Sequence, residues 1–150
     1  MTSRLTAFLR ESNAIEGIHR DPKLSEVGAA RHFLALPNLT LQDLNDVQQA
    51  FAPGHDLRDR LGLDVRVGNY IAPAGGPEIR ERLINLLIGI HKPNTPFNTH
   101  IAFEMLHPYT DGNGRTGRIL WAWHMNKVGR DPFALPFLHR FYYQTLEAQS

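Results

Sequence analysis

His107-Pro108-Tyr109-Thr110-Asp111-Gly112-Asn113-Gly114-Arg115-Thr116-Gly117-Arg118 packs a histidine, a carboxylate, three glycines, an asparagine and two arginines into twelve residues. Before it, Asn98–Leu106 is apolar enough for a buried helix. After it, Arg118–Asn126 also reads as helical, so the run ends one helix and opens another. The first N–H groups of a helix lack intrahelical partners and, with the helix dipole, attract anions. Gly112, Gly114 and Gly117 allow sharp turns and close approach to phosphate oxygens. Arg115 and Arg118, three apart, can both point at one anion. Asp111 is an oxygen donor of the kind Mg²⁺ takes beside substrate phosphates. His107, across the loop, is the candidate general base, with an ordinary pKa near neutral. A Gly-rich loop with Asp and Asn is also a common turn, and His-Pro a common helix end. The residues alone leave both readings open. The run is neither a Walker loop, lacking Gly-Lys-Ser/Thr, nor a dinucleotide fingerprint, lacking a preceding strand.

The rest of the chain is mainly helical in pattern. Leu41, Leu44, Val47 and Phe51 form a stripe, with Thr40 as N-cap and Asp43 at the capping-box position. Val27, Ala30 and Leu34 predict a helix before it. Ile79, Leu83, Leu86 and Ile90 predict one after the breaker Ala74-Gly75-Gly76-Pro77, and Leu138 and Tyr142 a C-terminal one. Leu63–Ile71 alternates partly and is β-branched, which reads as a strand or short hairpin. Ser12 and Glu16 lie four apart on one helix face, with Gly17 as a helix stop. On its own that is an ordinary helix end. His100, Glu104 and His107 share a face, but the spacing is not that of a helical zinc site and Pro108 ends the helix at once.

The twelve-residue run resembles the Fic domain signature, His-x-Phe-x-Asp/Glu-Gly-Asn-Gly-Arg-x-x-Arg. Every fixed position is matched except one, where Tyr109 stands for Phe and keeps the ring. Pro53-Gly54-His55-Asp56-Leu57-Arg58, Val65-Arg66-Val67 and Tyr70-Ile71-Ala72-Pro73 are similar to the family's approach to its hairpin flap. The likeness runs from about Ser12 to about Tyr143. It implies one Fic-type domain over 1–150, a helical bundle with a small β-hairpin flap. It also implies transfer of AMP from ATP to a Ser, Thr or Tyr hydroxyl of a target protein, with self-modification as a further outcome. In that resemblance His107 is the base and Asp111 holds Mg²⁺. Gly112, Asn113 and Gly114 form the anion hole, Arg115 and Arg118 contact phosphates, and Val65, Arg66 and Val67 bind the target by strand addition. Ser12, Glu16 and Gly17 are similar to the family's inhibitory motif, Ser/Thr-x-x-x-Glu-Gly/Asn. This implies an N-terminal inhibitory helix ending near 17, whose Glu16 pairs with Arg118. Alternatives are AMP removal aided by Glu16, or a nucleotide-binding or peptide-binding module without chemistry. Phosphate-transferring relatives lose the second anion-hole glycine, which Gly114 retains.

Composition narrows the field further. The 150 residues suit one domain, and 42% are hydrophobic. A net charge of +1 with histidine neutral gives no argument for a nucleic-acid partner. The absence of cysteine excludes thiolate metal sites and cysteine nucleophiles. No secretory h-region or membrane-length apolar run is visible, so the expected location is cytoplasmic, with no membrane partner.

Overall fold

The computed structural model describes residues 3–90 and 95–134. Their elements are α1 (Arg4–Ile15), α2 (Leu24–Leu34), α3 (Leu41–Phe51), β1 (Arg66–Val67), β2 (Tyr70–Ile71), α4 (Pro77–Gly89), α5 (Pro96–Leu106) and α6 (Asn113–Lys127). The expected mainly helical bundle with a small hairpin is therefore what the chain forms. The predicted C-terminal helix around Leu138 and Tyr142 lies outside the described residues.

Local chemistry explains where the helices start. Thr40 accepts the Asp43 N–H at α3, and the Asp43 carboxylate answers the Thr40 N–H at 2.9 Å, closing a capping box. Thr95 accepts the Asn98 N–H at α5, with Pro96 at the first helical position, where its missing N–H costs nothing. Pro77 plays the same part in α4.

Helix α6 is the axle. Ile119, Leu120, Ala122 and Trp123 are buried, and α1, α2, α3 and α5 all pack on it. The Trp123 indole donates to the Leu36 carbonyl at 2.8 Å, tying α6 to the end of α2. Its start differs from the sequence expectation. It begins at Asn113, five residues before Arg118, so Gly114, Arg115 and Gly117 belong to its first turns rather than to the loop. Gly112 as N-cap has φ 80°, a conformation natural to glycine, and its carbonyl accepts the Thr116 N–H at 2.9 Å to close the first turn.

Gly117 consequently has a packing role, not the phosphate approach that spacing suggested. A Cβ there would lie 2.8 Å from the Phe103 ring and 2.1 Å from Glu104 Oε1. It is the small residue at which α5 and α6 close on each other.

The hairpin is shorter than the alternating segment. Only Arg66↔Ile71 and Val67↔Tyr70 pair, and the Ala72 N–H reaches the Val65 carbonyl at 3.3 Å. In this register, Val67/Tyr70 and Val65/Ala72 take the hydrogen-bonded positions. The Arg66 main-chain N–H and C=O therefore face outward, on an exposed edge. Among the described residues, no helix is long and apolar enough to cross a membrane.

Gly117→Ala should destabilise the fold by ~1–3 kcal/mol, since fully buried Phe103 has no room to retreat. Urea unfolding of the purified variant measures this directly.

Candidate active site

Helix α5 ends at His107, whose N–H still reaches the Phe103 carbonyl at 2.9 Å. Pro108 disfavours the right-handed helical conformation at the residue before it. His107 accordingly turns left-handed, with φ 49° and ψ 61°, alone among the described non-glycine residues in having positive φ. That conformation costs about 1–2 kcal/mol, so the surroundings must hold it. Arg58 does. Its guanidinium is fully buried and donates to four carbonyls: His107 (2.7 Å), Leu106 (2.9 Å), Leu63 (2.9 Å) and Pro73 (2.8 Å). The Arg58 N–H adds a bond to the Pro108 carbonyl at 2.8 Å. Sequence reasoning gave Arg58 no role. Within Asp56-Leu57-Arg58-Asp59-Arg60 nothing distinguishes a buried arginine from a solvated one.

The His107 imidazole is largely sheltered. Burial lowers its pKa, opposed by a hydrogen bond to the Glu104 backbone carbonyl. With its pKa lowered the imidazole is neutral near pH 7, and a neutral imidazole has one nitrogen able to accept a proton. Beneath it, burial pushes His100 down to about 3 while its Nδ1 meets the Gly117 carbonyl at 3.0 Å. Burial pushes the neighbouring Glu104 carboxyl up to about 8, so this pair is neutral near pH 7.

The loop is clamped from inside. Asn113 Oδ1 accepts the Tyr109 N–H at 2.8 Å and its Nδ2 donates to the Tyr109 carbonyl at 2.7 Å. The Asn113 side chain is thus spent on loop geometry, which leaves only its backbone N–H for any ligand. Tyr109 is fully buried, and its hydroxyl donates to Asn45 Oδ1 at 2.6 Å. The ring keeps a core position, and the extra hydroxyl has a partner of its own. Asp111 turns one oxygen to the Gly112 N–H at 2.8 Å, and its side chain remains 58% exposed.

The two arginines do not converge as their spacing suggested. Arg115 Nη1 donates to the Phe51 carbonyl at 2.6 Å and lies 4.0 Å from Glu26 Oε2. The carbonyl end of α3 and a buried carboxylate hold one edge of this cation, which still feels the charges of Asp111 and Glu16. Arg118 points the other way. Its Nε donates to Ser12 Oγ at 2.7 Å, and its Nη2 to the Ser12 carbonyl at 3.1 Å and to Glu16 Oε1 at 2.6 Å. Ser12 and Glu16 thus meet the signature's last arginine across more than a hundred positions of sequence, while Gly17 makes no bond to it. Gly17, with φ 76°, ends α1 in a Schellman turn in which the N–H groups of Gly17 and Ile18 reach the carbonyls of Ala14 and Asn13. This turn places Glu16 at the helix end, facing α6.

Where Glu16 sits is informative. A Cβ added to Gly114 would fall 2.1 Å from Glu16 Oε1 and 3.1 Å from both Arg118 terminal nitrogens. The carboxylate therefore lies directly against the first turn of α6. A negative oxygen already occupies the position that helix dipole and arginine make favourable for an anion.

Residues 7–125 match the model of the Fic/DOC family. The chain belongs to that family, and its function is of the Fic type.

Arg58→Met should lower stability by ~3 kcal/mol or more, since it leaves several sheltered carbonyls without a donor. Chemical denaturation checks the size of the loss. A variant as stable as the wild type would show that the buried guanidinium is not the clamp.

Proposed function

We propose that the protein is a Mg²⁺-dependent protein adenylyltransferase restrained by its own α1. The observation that carries this reading is the Glu16 carboxylate, held by Arg118 against the N-terminal turn of α6, in a chain whose signature histidine is sheltered. An anion site, a base and an exposed carboxylate stand around one loop in a Fic/DOC chain. Gly114 keeps the space that AMP transfer asks of the loop.

ATP would present its α-phosphorus to a target hydroxyl near His107. As the hydroxyl oxygen attacks, its proton passes to the imidazole, the new P–O bond forms and the bond to pyrophosphate breaks. The backbone N–H groups opening α6 would meet the negative oxygens. Asp111 fits a hard cation: it is an exposed carboxylate with one oxygen committed to a backbone N–H and the other not. Among the described residues no cluster of three or more metal-ligating side chains is formed, so phosphate oxygens would complete the shell. Mg²⁺, when bound, neutralises charge on the departing pyrophosphate. Arg118, once released, would hold the γ-phosphate, while Arg115 steadies α6 against α3. The outward N–H and C=O of Arg66 suit main-chain pairing with an extended target segment, with Val65 and Val67 beside them.

A second reading, AMP removal, draws on Glu16 itself. It is 39% exposed and holds Arg118 through one oxygen, which leaves the other able to orient a water.

His107→Ala should reduce AMP transfer by ~10²–10⁴-fold while ATP binding persists. Transfer of α-labelled ATP, alongside calorimetric titration of ATP, separates the two. Glu16→Gly should raise transfer. A charge-assisted contact is worth ~1.5–3 kcal/mol, and partial exposure of Glu16 favours the low end, or roughly ten-fold in productive ATP binding. Adding Arg118→Ala should cancel the gain. A folded Glu16→Gly protein that labels itself no faster than wild type would remove the restraint from this reading.

A further inference from the structure

Gln48 on α3 is buried, and its side-chain amide bridges two distant points of backbone. Nε2 donates to the His55 carbonyl at 2.9 Å and to the Asp111 carbonyl at 3.1 Å. A second strut runs alongside. The Thr110 N–H reaches the Asp56 carbonyl at 2.9 Å, and Thr110 Oγ1 takes the Asp56 N–H at 3.2 Å. His55 and Asp111 are therefore held opposite each other by backbone bonds, although their side chains are half exposed.

The side chains make an incomplete contact. His55 Nε2 lies 3.9 Å from Asp111 Oδ2, beyond hydrogen-bonding reach. The other ring nitrogen, Nδ1, is 3.2 Å from Thr110 Oγ1. That oxygen already accepts from Asp56 and has a second lone pair for an Nδ1–H. In that tautomer the lone pair is on Nε2, the nitrogen 3.9 Å from Asp111 Oδ2. Metal-ligating histidines usually have this arrangement, one nitrogen donating to an outer partner and the other left for the ion. Two ligands on ~2.1 Å bonds in adjacent octahedral positions stand ~3.0 Å apart, and ~4.2 Å when opposite. The observed gap falls between these, and rotation of an exposed imidazole closes the difference. Asp111 also keeps Oδ2 clear of the Gly112 N–H that Oδ1 accepts.

We infer that His55 is a second protein ligand of the divalent cation at Asp111, with Gln48 holding the two ligand-bearing backbones in register. The inference rests on the proposed cation role of Asp111. One imidazole nitrogen beside carboxylate and phosphate oxygens makes the site softer than an all-oxygen one. It therefore favours Mn²⁺ over Mg²⁺ more strongly than Asp111 alone would. Since His55 precedes the hairpin and Asp111 follows the catalytic histidine, cation binding would also brace the approach to the flap against the loop.

The test uses the full chain carrying Glu16→Gly, labelled with ¹⁵N-histidine and loaded with Mn²⁺ and ATP, and reads pulsed electron paramagnetic resonance. The label separates protein nitrogen from adenine nitrogen. The expected result is a ¹⁵N coupling of a directly bound imidazole that disappears in His55→Gln. Mn²⁺ should stay bound there at least about ten-fold more weakly, and Mg²⁺ affinity should fall less. Retention of the coupling in His55→Gln would assign it to another histidine and overturn the inference. Mn²⁺ binding lost in Asp111→Ala, with no ¹⁵N coupling in the parent, would overturn it while leaving Asp111 as the cation ligand. Mn²⁺ binding indifferent to Asp111→Ala would remove the cation role of Asp111 and the inference with it.

Discussion

A full positive charge sits at the centre of this molecule with no carboxylate hydrogen-bonded to it among the described residues. Removing a guanidinium from water costs several kcal/mol, and here four carbonyl oxygens offset it. Two of those carbonyls end α5, where the helix dipole is negative and a cation is favoured. The other two, Leu63 and Pro73, stand at the two roots of the hairpin. One rigid, planar fork therefore fixes the left-handed backbone of His107 and the base of the flap at the same time. Lysine would supply the charge but not the fan of donors. The backbone geometry of His107 and the placement of the hairpin's exposed edge are consequences of a single side chain.

Much of the architecture was legible from residue pattern. The α3 stripe with its Thr40–Asp43 box, the Pro-started α4 and the apolar helix before the signature all express local rules that act within a turn or two. The meeting of Ser12 and Glu16 with Arg118 was legible only through family likeness, since nothing local links residues a hundred positions apart. Other features had no local signal at all. Arg58 and Gln48 are polar side chains whose burial is decided by backbone carbonyls arriving from elsewhere. The divergence of Arg115 from Arg118 depends on the end of α3 and on Glu26, neither of which spacing along α6 reveals. Gly117 was misread because a glycine that admits a phosphate and one that admits a neighbouring helix look the same in sequence.

The proposed restraint would use the same physics as the ligand it would exclude. Glu16 offers a carboxylate oxygen to a guanidinium and a helix N-terminus, the partners a phosphate would seek. Such an inhibitor needs no separate pocket. In this arrangement the Arg118 guanidinium is already met by Ser12 and Glu16. The aim of α1 comes from its last turn, where Gly17 stops the helix one residue beyond the carboxylate.

Tyr109 and half-buried Asn45 form a second polar pair between loop and α3, beside the bond from Gln48 to the Asp111 carbonyl. Their fates are joined. Losing the amide alone strands the hydroxyl of fully buried Tyr109, whereas half-exposed Asn45 can turn to water when the hydroxyl is lost. The two positions are thus epistatic, with a coupling that a double-mutant cycle would report as a non-additive term.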